Sequence, residues 1–426
     1  MRNWTRIPGI DNLTRNAMTF FKRRHFLKAL TVGSVAAAMP KAGTAMEMLG
    51  RDLPDDGAFS LLTPPYLQHL ATDGVTVCWI TDKPAFSHVE YWPADAPQDV
   101  KVQHTAKDGL VLANNRINKI RLSGLKPGQS YAYRVVSKEI VEFKAYSKTF
   151  GPTVTSETFS FRTVDPHSKT AALLVMNDVH DRPHSFAVLE GLYGSKDYQE
   201  VLLNGDTFDY QTGEQQLIDH LIKPCTALFA SNKPFMLMRG NHETRGDFAY
   251  ALGQYFENID DRAYFAFTRG PVFFVALDTG EDKADDADAY HGMAKFDEFR
   301  EKQAAWLKTV LESAEAKKAR YRVVLMHIPP YHSGDWHGTM HCRKVFGPVL
   351  ANGHVDLVIS GHTHRYGVHE AQEDHPYPIM IGGGPKEGQR TIVKVEANQD
   401  GLEAQLILET KETVGRVLLK PRQLRG

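Results

Sequence analysis

Five short apolar runs in the second half of the chain each end in a group of polar, reactive residues. The runs are Ala171–Met176, Val201–Leu203, Phe235–Met238, Val323–Met326 and Val355–Ile359. Helical candidates lie between them, at Glu214–Phe229 and Phe296–Ala316. Strands that alternate with helices predict an α/β fold with a largely buried sheet. Ligands bind beyond the carboxyl ends of strands in such sheets, so we expect the five polar ends to meet in one site.

The first half of the chain has a pattern typical of an all-β domain. Apolar residues occupy every second position of Val75–Thr81, as in a half-buried strand. Similar segments are Val89–Trp92, Ile117–Leu122, Tyr131–Val136 and Thr158–Thr163. Several strands at short spacing without a helical period predict a small β-sandwich. The segment Leu125–Tyr133 resembles the turn and strand of fibronectin type III domains.

The two patterns meet at Asp165-Pro166, and 426 residues are more than a single domain usually holds. We therefore expect a β-domain at residues 58–165 and an α/β-domain at residues 170–415. Within the second domain, Ala263–Phe267 and Val272–Leu277 are predicted to form a hairpin. The acidic stretch Gly280–Tyr290 is predicted to be a surface loop.

Residues 1–45 have the pattern of an export signal. The basic segment Lys22–Lys28 is followed by the apolar run Ala29–Met39 and by small residues up to Ala45. This run is shorter than the roughly 20 residues that cross a bilayer. The paired arginines resemble a bacterial twin-arginine signal, which implies an exported, periplasmic or extracellular protein without a transmembrane anchor. Cleavage is expected near Ala45 and the true start at Met18; a basic amphipathic helix is the alternative.

The composition is that of a soluble globular protein, with 42% hydrophobic and 24% charged residues. The net charge of −1 includes eight basic residues and one acidic residue in positions 1–45, so the remainder carries −8. This balance gives no support to a nucleic-acid partner. Cys78, Cys225 and Cys342 are odd in number and far apart, which predicts buried thiols rather than disulfides or a thiolate metal site.

The polar ends of the runs combine carboxylate, amide and imidazole side chains. They are Asp178, His180, Asp206, Asp209, Asn241, His242, His327, His362 and His364. Residues two apart in an extended segment point to the same side, so Asp178 and His180 can share one cation. The same spacing lets His362 and His364 reach two neighbouring cations. Carboxylates with imidazoles and no thiolate suit Fe, Mn or Zn rather than Ca or Mg. A glycine precedes three of these residues and allows a tight turn.

This order of motifs resembles the calcineurin-like metallophosphoesterases, from Ala171 to about Leu408. The resemblance implies β-sheets flanked by helices and a pair of metal ions. It implies that one ion is bound by Asp178, His180, Asp206 and His364. It implies that the other is bound by Asp206, Asn241, His327 and His362, with Asp206 bridging the two. Such a pair supplies a metal-bound hydroxide that attacks a phosphate ester.

The resemblance also implies roles for two residues beside the ligands. His242 would face the substrate, where a cationic imidazole stabilises the phosphoryl charge or protonates the leaving alkoxide. Asp209 resembles the family aspartate that hydrogen-bonds this histidine and raises its pKa. An ordinary surface acid is the alternative for Asp209.

The N-terminal half narrows the resemblance to the purple acid phosphatases. A fibronectin-like domain that opens with Pro-Pro-Tyr-Leu-Gln at residues 64–68, and the segment His327–His332, are similar to that family. However, the family has a metal-binding tyrosine three residues after the bridging aspartate, where this chain has Asp209, and Tyr210 is one residue late. The ligand His180 is also absent from the purple enzymes. We therefore expect no tyrosinate-to-iron colour.

Further side chains are candidates for the phosphate pocket. They are Arg239, Arg245, His332, His337, His341 and Arg365. Of these, we expect Arg239, His332 and Arg365 to bind the substrate. His332 to His341 is predicted to be a loop beside the site. Solvent-facing histidines are the alternative.

The sequence therefore predicts a metal-dependent phosphoric ester hydrolase, in which His242 acts as an acid or electrostatic stabiliser. The alternative is a non-catalytic cell-surface or phosphate-sensing protein on the same scaffold. The motifs do not decide between phosphate monoesters and diesters, or between Fe, Mn and Zn. The oligomeric state is also left open.

Overall fold

The computed structural model of the protein describes residues 57–423. The predicted export signal, its cleavage site and the start at Met18 lie outside the described residues.

Residues 57–165 are built of β-strands. The strands are β1 (Tyr66–Gln68), β2 (Val75–Pro93), β3 (Lys101–Gln103), β4 (Ala106–Lys107), β5 (Leu110–Val111), β6 (Asn115–Leu122), β7 (Ser130–Phe143), β8 (Lys148–Thr155) and β9 (Phe159–Arg162). The main sheet has the order β1-β2-β7-β8, with β3 and β6 paired to β2 and with β9 paired to β7. The predicted all-β domain is confirmed.

The sequence predicted two separate strands at Val75–Thr81 and Val89–Trp92. This prediction was wrong, because both segments belong to the single strand β2. Strand β2 pairs with β6 before a register shift between Ile80 and Ala85, and it pairs with β7 from Ala85 onwards. An irregularity of this kind bends a strand and lets it contribute to two parts of a sheet. Alternation of apolar residues on both sides of the bend therefore gives the appearance of two strands.

The segment Pro-Pro-Tyr-Leu-Gln joins the β-domain to the second domain. Tyr66 is fully buried in the apolar cluster that covers the second domain's first sheet. Its hydroxyl donates a hydrogen bond to the carbonyl oxygen of Tyr255 at 2.6 Å. Tyr133 similarly donates to the carbonyl oxygen of Ser231 at 2.7 Å. The β-domain is therefore packed firmly against the α/β-domain.

The second domain contains twelve further strands among the described residues. They are β10 (Ala171–Met176), β11 (Glu200–Asn204), β12 (Phe235–Met238), β13 (Phe265–Arg269), β14 (Val272–Leu277), β15 (Tyr321–Met326), β16 (Leu357–Ser360), β17 (Gly367–His369), β18 (Ile379–Ile381), β19 (Thr391–Ala397), β20 (Leu402–Leu408) and β21 (Thr413–Leu419). The α-helices are α1 (Ser185–Gly191), α2 (Glu214–Leu217), α3 (Lys223–Cys225), α4 (Phe296–Leu311), α5 (Ala314–Lys318) and α6 (His337–Asn352).

These strands form two stacked sheets with helices outside. One sheet has the order β12-β11-β10-β19-β20-β21 and the other β13-β14-β15-β16-β18-β17. Strands β10 to β12 are parallel, as are β14, β15, β16 and β18. Leu173 and Val175 point into the cluster between the sheets, whereas Leu174 and Met176 pack against α1 and its neighbours. The predicted α/β fold of sheets flanked by helices is confirmed.

Some local predictions differ from the structure. The helical candidate Glu214–Phe229 is helical, but π-helical turns at Ile218–Ile222 and Thr226–Ala230 flank Pro224, which lacks the backbone N–H that a regular helix uses. The predicted loop at residues 332–341 is wrong in its second half, because α6 begins at His337. The acidic stretch Gly280–Tyr290 is not entirely on the surface, since Glu281 is fully buried.

Cys78, Cys225 and Cys342 are free, buried thiols, as predicted. Burial raises the pKa of all three thiols. Among residues 57–423, none of the helices combines the length and apolar character that a membrane crossing requires.

Candidate metal centre

The five predicted polar ends converge at one edge of the two stacked sheets. Asp178 follows β10, Asp206 follows β11, Asn241 follows β12, His327 follows β15 and His362 follows β16. All of these strands run parallel within their sheets, so their carboxyl ends lie together. The site is therefore assembled from five separate segments that the two sheets hold in register.

Several of these residues have a strained backbone. The φ angles are 52° at Asp178, 50° at His180, 53° at Asp206, 72° at His362 and 56° at His364. Positive φ is uncommon for residues with a side chain and costs on the order of 1–3 kcal/mol at each position. Strain of this kind gathers at functional sites, where the surrounding structure maintains it.

A first group of four side chains surrounds a common point. Nε2 of His364 lies 3.0 Å from Nε2 of His180 and 3.4 Å from Oδ1 of Asp178. Nε2 of His180 lies 3.6 Å from Oδ2 of Asp206. The four potential ligand atoms of Asp178, His180, Asp206 and His364 all lie within 4.8 Å of one another. These are the four residues predicted to bind one ion.

A second group adjoins the first and shares Asp206 with it. Nε2 of His327 lies 2.9 Å from Oδ2 of Asp206. Asp206, His327 and His362 place their potential ligand atoms within 4.8 Å of one another. Nδ1 of His362 also lies 3.0 Å from Oδ1 of Asn241, which brings the amide oxygen to this group. The structure therefore gathers all seven predicted ligands, with Asp206 at the junction.

Two observations indicate that these residues suit metal cations. Nε2 of His327 is buried and makes no hydrogen bond within the described structure, although it faces the Asp206 carboxylate. Burial opposes a charge on His327, but the nearby Asp206 carboxylate outweighs this and raises its pKa to about 10. The cluster thus attracts positive charge strongly. Carboxylates and imidazoles that converge in this way suit Fe, Mn or Zn.

Glycines bring the ligands close together. A Cβ at Gly240 would overlap the Asp206 carboxylate, and one at Gly361 would overlap the Asp178 carboxylate. Gly205 has φ of 84°, and a Cβ there would meet Nδ1 of His327. Glycine is therefore needed before these ligands for two reasons: the backbone turns tightly there, and a side chain would overlap a neighbouring ligand.

Glu243 is a site residue that the sequence analysis did not single out. It is fully buried, and its carboxylate accepts hydrogen bonds from the backbone N–H groups of Asp206, Thr207, Phe208 and Gly240 at 2.7–3.3 Å. One side chain therefore ties the loop after β11 to the loop after β12. The sequence feature that could have indicated its role is its position directly after Asn241 and His242.

The predicted contact between Asp209 and the His242 side chain is wrong. The Asp209 carboxylate lies on His180, with Oδ1 2.9 Å from Nδ1. Nδ1 of His242 instead lies 2.6 Å from the main-chain oxygen of Asp209. Because a carbonyl oxygen only accepts, Nδ1 of His242 carries the proton and donates it.

Arg245 occupies the other side of His242. Its Nη1 lies 2.9 Å from Nε2 of His242, and since a guanidinium only donates, Nε2 is the acceptor. His242 is therefore neutral in this arrangement, contrary to the predicted cation. Burial lowers the pKa of His242, Asp206 opposes this, and Arg245 lowers it further. The permanent positive charge at this position belongs to Arg245.

Two family models match the sequence of the chain. Residues 171–366 match the model described as calcineurin-like phosphoesterase, and residues 65–163 match the model described as purple acid phosphatase, N-terminal domain. The chain contains a calcineurin-like phosphoesterase domain and a purple acid phosphatase N-terminal domain. It therefore belongs among the metal-dependent phosphoric ester hydrolases.

Curated relatives are similar in sequence to this chain, and a solved structure is similar in fold. The chain is similar to probable purple acid phosphatase 20 of Arabidopsis thaliana, with 24% identity over 79% of this chain and 76% of the relative. It is 26% identical to purple acid phosphatase 22 of the same plant, over 74% of this chain and 70% of the relative. The fold resembles purple acid phosphatase PPD1 from yellow lupin (Lupinus luteus) seeds, with a TM-score of 0.64 and 16% identity over 84% of this chain and 74% of that one.

The weaker pocket candidates of this phosphoesterase lie in different places. Arg239 lines a cleft together with Arg245. His332 stacks on His369 with ring centroids 3.8 Å apart, and Arg365 is exposed. His337 and His341 lie on α6 and face a carboxylate of α4, namely Asp297 at 2.8 and 3.3 Å. The alternative of solvent-facing histidines holds for His337, which is exposed although it contacts Asp297, and is wrong for His341, which is buried.

Proposed function

We propose that this protein is an exported phosphoesterase with two metal ions, and that Asp206 bridges them. The observation that carries the proposal is the position of Asp206 between two ligand groups. Its Oδ2 lies 3.6 Å from His180 in one group and 2.9 Å from His327 in the other. A carboxylate has two oxygens and can serve two neighbouring cations at once.

The proposed ligand sets follow the two groups. Asp178, His180, Asp206 and His364 hold one ion, and Asp206, Asn241, His327 and His362 hold the other. When bound, the pair of ions supplies an activated water and neutralises charge on the phosphoryl oxygens. The donor set supports Fe, Mn or Zn.

The substrate phosphate is proposed to meet His242 and Arg245. Arg245 provides a fixed positive charge, because Glu281 holds its Nε at 2.6 Å. A phosphate dianion beside the imidazole favours its protonated form and so opposes the effect of Arg245. We propose that Nε2 of His242 takes up a proton from solvent when the substrate binds, and that His242 then gives this proton to the departing oxygen.

Asp209 is proposed to act through His180 rather than on the substrate. Its carboxylate accepts from Nδ1 of His180, which leaves Nε2 free to face the proposed ion. A carboxylate behind a ligand imidazole fixes its orientation and raises its basicity. The backbone N–H of Asp209 is in turn held by the Asp181 carboxylate at 2.8 Å. The side chain of Tyr210 is 58% exposed, which supports the absence of a tyrosinate ligand.

Export by a twin-arginine route is the proposed localisation. It rests on the basic segment Lys22–Lys28, the apolar run that follows and the small residues up to Ala45. This route carries folded proteins and suits a chain whose site is assembled from five segments. A periplasmic or extracellular phosphoesterase is the outcome we propose.

The experiment is hydrolysis of aryl phosphate monoesters and diesters by the protein reconstituted with Mn, Fe or Zn. We expect metal-dependent release of phenol that Asp206→Asn abolishes, and the ratio of monoester to diester turnover assigns the ester class. Asp219→Asn is the matched control, because this side chain lies on a helical turn and is 42% exposed. Tight phosphate binding without turnover for any metal would instead support a phosphate-sensing protein.

A further inference from the structure

A cleft of about 630 Å³ opens beside Arg245, the residue that contacts His242. Arg245 connects the cleft to His242, because it lines the cleft and its Nη1 lies 2.9 Å from Nε2 of His242. A group attached to a phosphate at His242 would enter this cleft past Arg245. We call it the leaving-group cleft; its lining includes Arg239, Arg245, Tyr250, Tyr290, Met293 and Phe296.

The cations of the leaving-group cleft are already balanced by carboxylates. Nε of Arg239 donates to Asp278 at 2.6 Å, and Nε of Arg245 donates to Glu281 at 2.6 Å. Both acids are fully buried. The remaining cation of the lining, Lys283, is paired with Asp282 at 2.8 Å.

An additional carboxylate, that of Asp247, also lines the leaving-group cleft. Together with Asp278 and Asp282, which lie behind the lining, the acids outnumber the three cations, so the cleft offers no net positive charge to a second anionic group on a substrate. A carboxylate or an additional phosphate that entered would lose its hydration and meet Asp247 without gaining an unpaired cation.

The apolar part of the cleft wall is formed by three aromatic side chains, one thioether and three alanines. Tyr250 is 81% exposed and Met293 is 72% exposed, so both have apolar surface that a bound group could cover. Tyr290 and Phe296 complete this wall, with ring centroids 6.3 Å apart in an edge-on arrangement. Rings and sulfur atoms interact favourably with a planar aromatic group.

We propose that the leaving-group cleft binds the alcohol portion of the substrate and selects an uncharged planar ring over an anionic or small aliphatic group. The proposal rests on the proposed phosphoesterase function, because it assigns the substrate class of the same site. Arg239 and Arg245 orient the phosphate end, while Tyr250 and Met293 cover the ring.

The first test compares two substrates that differ in charge and little else. These are 4-ethylphenyl phosphate and 4-(carboxymethyl)phenyl phosphate, whose phenols are similarly good leaving groups. With the metal-reconstituted protein, we expect kcat/KM for the anionic substrate to be about tenfold lower. Equal values, or a preference for the carboxylate, would overturn the proposed selectivity.

The second test uses two phosphonates as inhibitors, since their C–P bond is not hydrolysed. Tyr250→Ala should raise the inhibition constant of phenylphosphonate about 2- to 12-fold, the usual worth of an aromatic contact. The inhibition constant of methylphosphonate should stay unchanged. Tyr146→Ala, a fully exposed tyrosine of the β-domain, is the matched control.

The outcomes separate this proposal from the phosphoesterase function. Metal-dependent hydrolysis together with equal effects of Tyr250→Ala on both phosphonates, or no effect on either, would overturn the cleft assignment and leave the function intact. If no ester is hydrolysed with any metal, the function fails. Calorimetric binding of the two phosphonates to the wild-type protein and to Tyr250→Ala then tests the cleft by itself.

Discussion

Nη1 of Arg245 lies 2.9 Å from Nε2 of His242, and this contact places a fixed cation against the imidazole that is proposed to face the substrate. The guanidinium is held from behind by Glu281, so it remains in place without a substrate. The neutral imidazole and the fixed cation thus form a pair whose proton balance changes when a phosphate arrives.

Removing the cation of this pair should lower turnover. Arg245→Met alone would leave the buried Glu281 unpaired, so the informative protein is the double variant Arg245→Met/Glu281→Gln. We expect its kcat/KM to fall on the order of 10²-fold, as when one oriented donor is lost. The Glu281→Gln single variant is the control, and a double variant as active as that control would remove Arg245 from the account.

Loss of the imidazole should have a larger effect on the chemical step. His242→Ala is expected to lower kcat about 10²- to 10⁴-fold, the usual contribution of a positioned acid. The loss should be smaller for esters of acidic phenols, which depart without a proton. Turnover measured across a series of substituted phenyl phosphates tests this; full activity of His242→Ala would contradict the proposed role.

Asp209→Asn should weaken metal binding rather than proton transfer. The carboxylate contacts Nδ1 of His180 at 2.9 Å, and loss of such a partner typically costs about 10- to 100-fold in metal affinity or activity. We expect a lower metal affinity and near-normal kcat once metal is saturating. A lower kcat at saturating metal with unchanged affinity would instead place Asp209 on the reaction itself.

Glu243→Gln should destabilise the fold. The carboxylate accepts four backbone hydrogen bonds, two on each oxygen, and an amide nitrogen in place of one oxygen leaves two donors without an acceptor. The expected loss in free energy of unfolding is about 2–4 kcal/mol. Urea unfolding of metal-free protein measures it, with the exposed Glu387→Gln as control. A loss equal to that of the control would contradict the bracing role.

The sequence predicted the convergence of the site because strand ends follow directly from apolar runs. The runs at Ala171–Met176 and Phe235–Met238 agree with β10 and β12, and topology then places Asp178 and Asn241 at the same edge. The sequence did not predict which atoms pair. Asp209 follows Asp206 by three residues across a turn that begins at positive φ, and spacing does not define the direction of a side chain there.

The sequence pattern also did not predict which residues form buried ion pairs. Glu281 lies in an acidic stretch and was expected at the surface, yet it is fully buried because Arg245 neutralises it. The contact of His337, in the first turn of α6, with Asp297 of α4 is exposed, but it likewise joins residues that are far apart in the sequence. Such pairings depend on tertiary distance, which hydrophobic periodicity does not encode.

The most direct test of the two-metal account is activity measured against metal equivalents. Metal-free protein is titrated with Mn, Fe or Zn while bound metal and aryl phosphate hydrolysis are recorded together. The account predicts two ions per chain, turnover that rises to its plateau only as the second ion binds, and loss of both in Asp206→Asn. Full turnover with one ion per chain, or turnover unaffected by Asp206→Asn, would contradict it.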